Sequence, residues 1–167
     1  EMTRTRDLLT LLMHTGLDAA DPTQAVLEFL PLFPKGRTVV VGAGKAAAIM
    51  ACALEALWPI EAPLSGLVVT RHGYGQPLAR IDSVLASHPV PDAAGEAAAK
   101  RILDLVQGLT PDDLVVALIS GGGSALMALP APGITMADKR RITKALLASG
   151  AAIGEINCVR KRIKTLR

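Results

Sequence analysis

Two stretches of this chain carry residue types suited to handling anions. Gly42-Ala43-Gly44-Lys45 follows a β-branched run, and Ser120-Gly121-Gly122-Gly123-Ser124 follows a second apolar run. Three consecutive glycines lose much backbone entropy on folding and pack nothing. A chain carries them where the backbone must bend sharply or approach a ligand closely. Bare N–H groups after a strand, often with a helix N-terminus behind them, suit a phosphate or carboxylate. Residues 120–124 therefore predict an anion loop; a merely tight turn would need fewer glycines. A serine nucleophile is the rival chemistry, yet Ser120 is not in a G-x-S-x-G elbow.

Gly42-Ala43-Gly44-Lys45-Ala46-Ala47 matches G-x-G-x-x-A between a strand and a helix, the position of a dinucleotide fingerprint. The next predicted strand ends in Thr70-Arg71, with no acidic residue for a ribose hydroxyl, although Arg71 could meet an NADP phosphate. The spacing is not that of a Walker A loop. Gly42 and Gly44 could equally serve only a tight turn. Lys45 argues for more, because a lysine in the first turn of a helix opposes the macrodipole and a bound phosphate would reverse that penalty.

Further candidates lie in other loops. Arg71-His72-Gly73 and Ser87-His88-Pro89 each follow a strand, and either histidine could transfer a proton or orient a partner. His88 precedes proline, which predicts an extended backbone. Asp92 reads as an N-cap rather than a catalyst. Asn157 and Arg160, three apart on the last predicted helix, share a face and could reach one ligand. His14 carries no functional expectation.

The elements that must position these residues alternate between strand and helix. Residues 5–30 read as helices, with Leu8, Leu9, Leu11, Leu12 and Leu17 on an apolar stripe and Asp21-Pro22 opening the second helix. Strands are predicted at 38–41, 67–70, 83–86 and 114–119, and helices at 45–57, 93–107, 135–147 and 153–161. Thr135 and Asp138 resemble a capping box. This order predicts an α/β fold, a three-layer α/β/α Rossmann-like domain with a mostly parallel sheet covered on both faces. Ligands of such sheets bind outside the carboxyl ends of the strands, the edge that all four candidate loops share.

The composition narrows the class. The 167 residues suit one domain, half of them apolar but only Phe29, Phe33, Trp58 and Tyr74 aromatic. A net charge of +3 is too small to argue for nucleic acid. The basic run Arg160, Lys161, Arg162, Lys164, Arg167 reads first as a solvated helix face and second as an anion contact. Cys52 and Cys158 lack the spacing of a disulfide framework or zinc site, and Cys52 fits a small core position. With neither a membrane-length apolar span nor a signal pattern, the expectation is a cytoplasmic enzyme without membrane partners.

Taken together, Val41-Gly-Ala-Gly-Lys-Ala-Ala47, Gly66-Leu-Val-Val-Thr-Arg-His-Gly73, Ser87-His-Pro-Val-Pro-Asp92, Leu118-Ile-Ser-Gly-Gly-Gly-Ser-Ala-Leu126 and Asn157-Cys-Val-Arg-Lys161 resemble the N-terminal domain of glycerate 2-kinases. Many members carry the older label hydroxypyruvate reductase. The resemblance covers residues 8–161. It implies ATP-dependent phosphorylation of D-glycerate to 2-phosphoglycerate with Mg²⁺, in a cleft of a two-domain protein of which residues 1–167 are the first domain. Lys45 would be the phosphate-stabilising or catalytic residue. Residues 120–124 would cradle a nucleotide phosphate or the glycerate carboxylate.

The site expected on these grounds has Lys45 and His88 as catalytic residues. Gly44, Ser120, Gly121, Gly122, Gly123 and Ser124 lie about the nucleotide. Arg71, His72, Asn157 and Arg160 lie about glycerate. No metal ligand is assigned, and a homodimer is allowed. Beyond Lys161 the chain departs from the family pattern: the His-Leu-Ser and Ile-Lys-Gly-Gly stretches are replaced by Arg162-Ile-Lys-Thr-Leu-Arg167. An NAD(P)H-dependent hydroxypyruvate reductase and a non-catalytic anion-binding domain are the competing functions.

Overall fold

A computed structural model describes residues 2–165, with side chains from Arg4 onward. The helices are α1 (Met2–Ala19), α2 (Pro22–Glu28), α3 (Ala47–Leu57), α4 (Ala93–Leu105), α5 (Gly123–Leu126), α6 (Met136–Ala148) and α7 (Ile153–Arg162). The strands are β1 (Thr38–Ala43), β2 (Leu64–Arg71), β3 (Ile81–Ala86) and β4 (Leu114–Ile119). All pair in parallel in the order β3-β2-β1-β4.

Alternation along the strands sorts the core into two layers. Val40, Val68, Ile81 and Leu118 face α2 and α3, where Val26, Ala47, Ala48, Ala51 and Leu54 meet them. Ala43, Leu67, Val69 and Ala86 face α4 and α5, against Ala98, Ile102 and Leu126. Alanines along α3 let its backbone approach the sheet closely, which explains an apolar chain so poor in aromatics. The α/β fold is as expected.

Two segments differ from the sequence expectation. The stripe on α1 is not buried: Leu8, Leu9, Leu11, Leu12 and Leu17 are all exposed among the described residues. Edge strand β4 is covered on one face only, since α4 packs over β2 and β3 and leaves Val115 and Ile119 40% and 57% exposed. The periodicities were read correctly, but what covers an apolar face is not encoded in its own period.

Strand register sets the working edge. Ala43 pairs with Ile119, so the loops after β1 and β4 leave the sheet side by side. Arg71 pairs with Ala86, so the loops carrying His72 and His88 are neighbours too. The chain beyond α7 returns to this edge through an antiparallel bridge between Lys164 and Pro130. The Ala131 N–H donates to the Ile163 carbonyl at 3.2 Å, and the Thr165 N–H to the Leu129 carbonyl at 3.0 Å.

Asp92 ties one of these loops down. One carboxylate oxygen accepts the Gly95 N–H at 2.9 Å as the N-cap of α4, and the other accepts the Ser87 N–H at 2.9 Å. Burial tends to raise the Asp92 carboxyl, but the bonds from Gly95 and Ser87 outweigh it and hold the group below its ordinary value. Its contribution to stability is present above the ordinary aspartate range and is lost as pH falls through the depressed value. Asp92→Ala is expected to cost about 1–2 kcal/mol at neutral pH, read as a lower denaturant midpoint. An unchanged midpoint would contradict this role.

Candidate active site

The loops after β1 and β4 are interlocked. The Ser120 N–H donates to the Ala43 carbonyl at 3.1 Å, the Lys45 N–H to the Gly121 carbonyl at 2.9 Å, and the Ala46 N–H to Ser120 Oγ at 2.9 Å. Gly44 has φ +143°, and a Cβ there would overlap the Ser120 hydroxyl and backbone. Gly44 is thus a glycine because Ser120 fills the adjacent space. The remaining N–H groups of this turn are also engaged, Gly44 with the Val69 carbonyl at 3.0 Å and Ala47 with the Gly44 carbonyl at 3.2 Å. A pyrophosphate on the G-x-G-x-x-A turn would find no free donor. The dinucleotide expectation loses its physical basis, and Gly44 acts through Ser120.

The triple glycine is different. The Gly123 N–H bonds back to the Ser120 carbonyl at 3.3 Å, while those of Gly121, Gly122 and Ser124 have no acceptor among the described residues. Gly122 takes the left-handed conformation at φ +91°. A Cβ on it would come within 3.0 Å of Cδ2 and Nε2 of His88 and 3.7 Å of Lys45 Cγ. The loop is therefore the meeting point of Lys45 and His88. The His88–Pro89 peptide is cis.

An open cleft of about 510 Å³ lies against this loop. His88, Ser120, Gly122, Gly123, Ser124, Asn157 and Arg160 line it, so seven of the expected site residues share one wall. Lys164 lines it as well and was missed. Its signal was present in the C-terminal basic run, but the run divides: Lys161 and Arg162 are exposed, while Arg160 and Lys164 are half-buried at the cleft. Arg167 lies outside the described residues.

Five of the expected residues are not part of the lining: Gly44, Lys45, Gly121, Arg71 and His72. Arg71 stacks its guanidinium over the Tyr74 ring at 4.6 Å, although its charge still reaches His88. His72 is exposed in the same loop, and its charge is felt by Asp92.

Among the described residues no carboxylate lines the cleft; its titratable lining groups are His88, Arg160 and Lys164. No group of three His, Cys, Asp or Glu side chains among the described residues could hold a metal ion. The residues present do not fit a magnesium site; they fit an oxyanion. Desolvation, then the charges of Lys45, Arg71 and Arg160, lower the His88 pKa from its ordinary 6.5. His88 is therefore neutral at neutral pH and able to accept a proton. Among the described residues both cysteines are free thiols, Cys158 exposed and Cys52 only half-buried rather than fully in the core. No helix of the described residues is long and apolar enough to cross a membrane.

An NMR titration of His88 is expected to give a midpoint below 6.5, which rises in Lys45→Ala as one of the charges opposing protonation is removed. A midpoint at or above 6.5 that ignores Lys45→Ala would contradict the arrangement.

Comparison with known proteins agrees with this architecture. The family described as "Domain of unknown function (DUF4147)" matches residues 8–167. An Agrobacterium vitis protein provisionally named a hydroxypyruvate reductase is 52% identical over 162 residues, covering 97% of this chain and 37% of that protein. The glycerate 2-kinase of Pyrococcus horikoshii is 39% identical over 174 residues, covering 97% of this chain and 39% of that protein. The crystal structure of a Thermotoga maritima glycerate kinase superposes with a TM-score of 0.84 at 36% identity, over 99% of this chain and 40% of that one. The chain thus spans less than two-fifths of the length of the two curated relatives. On the extent of the family match, and on the agreement of fold and sequence with these proteins, the chain belongs to the DUF4147 family, the family of the glycerate 2-kinases.

Proposed function

We propose that this chain is the phosphate-handling wall of a glycerate 2-kinase: the intact protein transfers the γ-phosphoryl group of ATP to the 2-hydroxyl of D-glycerate. The observation that carries this is the meeting of Lys45 and His88 at Gly122, beside N–H groups of residues 121, 122 and 124 that no acceptor among the described residues takes. Relatives named glycerate 2-kinase and D-glycerate 2-kinase, each 39% identical, support the substrate. In this account the chain is the N-terminal of two domains and the cleft faces the other domain. The protein works in the cytoplasm.

Phosphoryl transfer asks the protein chiefly to position the reactants and to balance charge on the moving group. The Lys45 ammonium and the loop N–H groups meet the anionic oxygens. Neutral His88 stands beside the same loop and takes the proton of the attacking hydroxyl. Arg160, with five fixed donors, suits bidentate pairing with the glycerate carboxylate, and Asn157 on the same face adds a neutral donor. Arg71 contributes charge from behind Tyr74. His72, exposed and away from the cleft, has no support for substrate contact. The nucleotide is expected to bring its magnesium with it; the residues described supply no ligand set, so no step depends on one. The reductase alternative is disfavoured because the turn it needs has spent its donors within the protein.

With the intact protein, ADP formation is expected to require both ATP and D-glycerate. Lys45→Ala is expected to lose about 10²-fold or more in kcat, on the scale of removing one oxyanion donor, with an unchanged circular dichroism spectrum. His88→Gln is expected to lose about 10²-fold or more as a general base. NAD(P)H oxidation by hydroxypyruvate without ATP, or near wild-type turnover in Lys45→Ala, would sink the proposal.

A further inference from the structure

One buried charge is left unexplained by the catalytic arrangement. Lys139, in the first turn of α6, is 4% exposed, and its Nζ has no hydrogen-bond partner among the described residues. It is the single charged group among the buried polar atoms left without a partner there. An ammonium taken out of water without a partner is costly, and folds do not retain one without compensation. The charged groups acting on it are Lys164, Arg160 and Glu96. Two of these are cations, and Glu96 is already paired with Lys100 at 2.8 Å. Burial first, then Lys164 and Arg160, push Lys139 down to about 8, against the opposing pull of Glu96.

Lys164 and Arg160 are cleft-lining residues, and neither forms a salt bridge among the described residues. The backbone bridge to Pro130 fixes Lys164 at the cleft, with its Nζ 3.5 Å from Ser124 Oγ. Three like charges from α6, α7 and the segment after α7 thus converge, opposed only by Glu96, which is already paired with Lys100, beside a hydroxyl and a free N–H on Ser124. We infer that Lys139, Arg160 and Lys164 with Ser124 form a second oxyanion subsite in the cleft, in which Arg160 and Lys164 contact the anion and Lys139 supplies charge from behind. The ligand class is a carboxylate or phosphate group of a small substrate. This deepens the kinase proposal and rests on the same cleft. It adds Lys139 and Lys164, and it separates the α6–α7 side of the cleft from the Lys45–His88 side.

The test is calorimetric titration of the intact protein with D-glycerate, ATP and inorganic phosphate, as wild type, Lys164→Met, Lys139→Met and Lys164→Arg. At least one ligand is expected to bind about tenfold or more weakly in both Met variants, with most affinity kept in Lys164→Arg. A loss confined to glycerate identifies the anion as its carboxylate; a loss for ATP and phosphate identifies a phosphate group. A wild type that binds phosphate, but neither glycerate nor ATP, removes the kinase proposal. The subsite then stands if the Met variants lose phosphate. Unchanged affinities in either Met variant, or no binding of any of the three by wild type, overturn the subsite. Ligand-free Lys139→Met is also expected to melt at a higher temperature than wild type, because an uncompensated charge has gone. A lower melting temperature would mean that the fold itself satisfies the ammonium, contrary to the inference.

Discussion

The interlock of the β1 and β4 loops is the constraint on which the site depends. Parallel register brings Gly44 and Ser120 off the sheet side by side. Three bonds, among Ala43, Lys45, Ala46, Ser120 and Gly121, then knit the two loops into one unit. Each loop spends part of its polarity on the other. The first spends all the N–H groups of residues 44–47, which leaves its backbone no direct role in anion binding. The second keeps the donors of residues 121, 122 and 124. A side chain at Gly44 would push Ser120 outward and move these donors together with Lys45. Rigidity at this junction is what allows small N–H groups to act as a preorganised cradle.

Electrostatics gives the cleft its specificity in kind. Arg160 of α7 and Lys164 beyond it line the cleft, Lys45 stands beside Gly122 in the loop after β1, and no carboxylate is among the described lining residues. Burial first, and then the same field, lowers the His88 pKa, so attraction of an anion and readiness to accept a proton share part of their origin. This coupling is economical in sequence: Lys45 opposes the protonation of its neighbour and, in the proposed kinase, also draws the phosphate. Lys139 extends the pattern inward, since its burial becomes intelligible once an anion is expected nearby.

Much of this was legible before the structure. The β-branched runs at 38–41 and 114–119 became β1 and β4, and the alternation of strand and helix implied a parallel sheet whose loops share one edge. Asp92 and Thr135 read correctly as caps because capping is a local interaction within a few residues. Gly44 was misjudged in its reason: its neighbour Ser120 lies 76 positions away in sequence, and only the register of β1 and β4 makes them adjacent. Lys164 was hidden inside a basic run because helix periodicity ends near Arg162 and the bridge to Pro130 is non-local. Nothing in the local sequence singles out Lys139, whose burial comes from how α6 packs. The exposed leucines of α1 show the converse limit, where a clear pattern names a face but not what meets it.

In the proposed site an oxyanion rests on the backbone of the triple-glycine loop beside Lys45. A crystal structure of the intact protein with a non-hydrolysable ATP analogue and D-glycerate tests it most directly. A phosphate or carboxylate oxygen is expected at about 2.7–3.2 Å from at least one of the Gly121, Gly122 and Ser124 amide nitrogens, with the Lys45 ammonium on the same ligand. Both ligands bound elsewhere, with those amides facing only water, would contradict it.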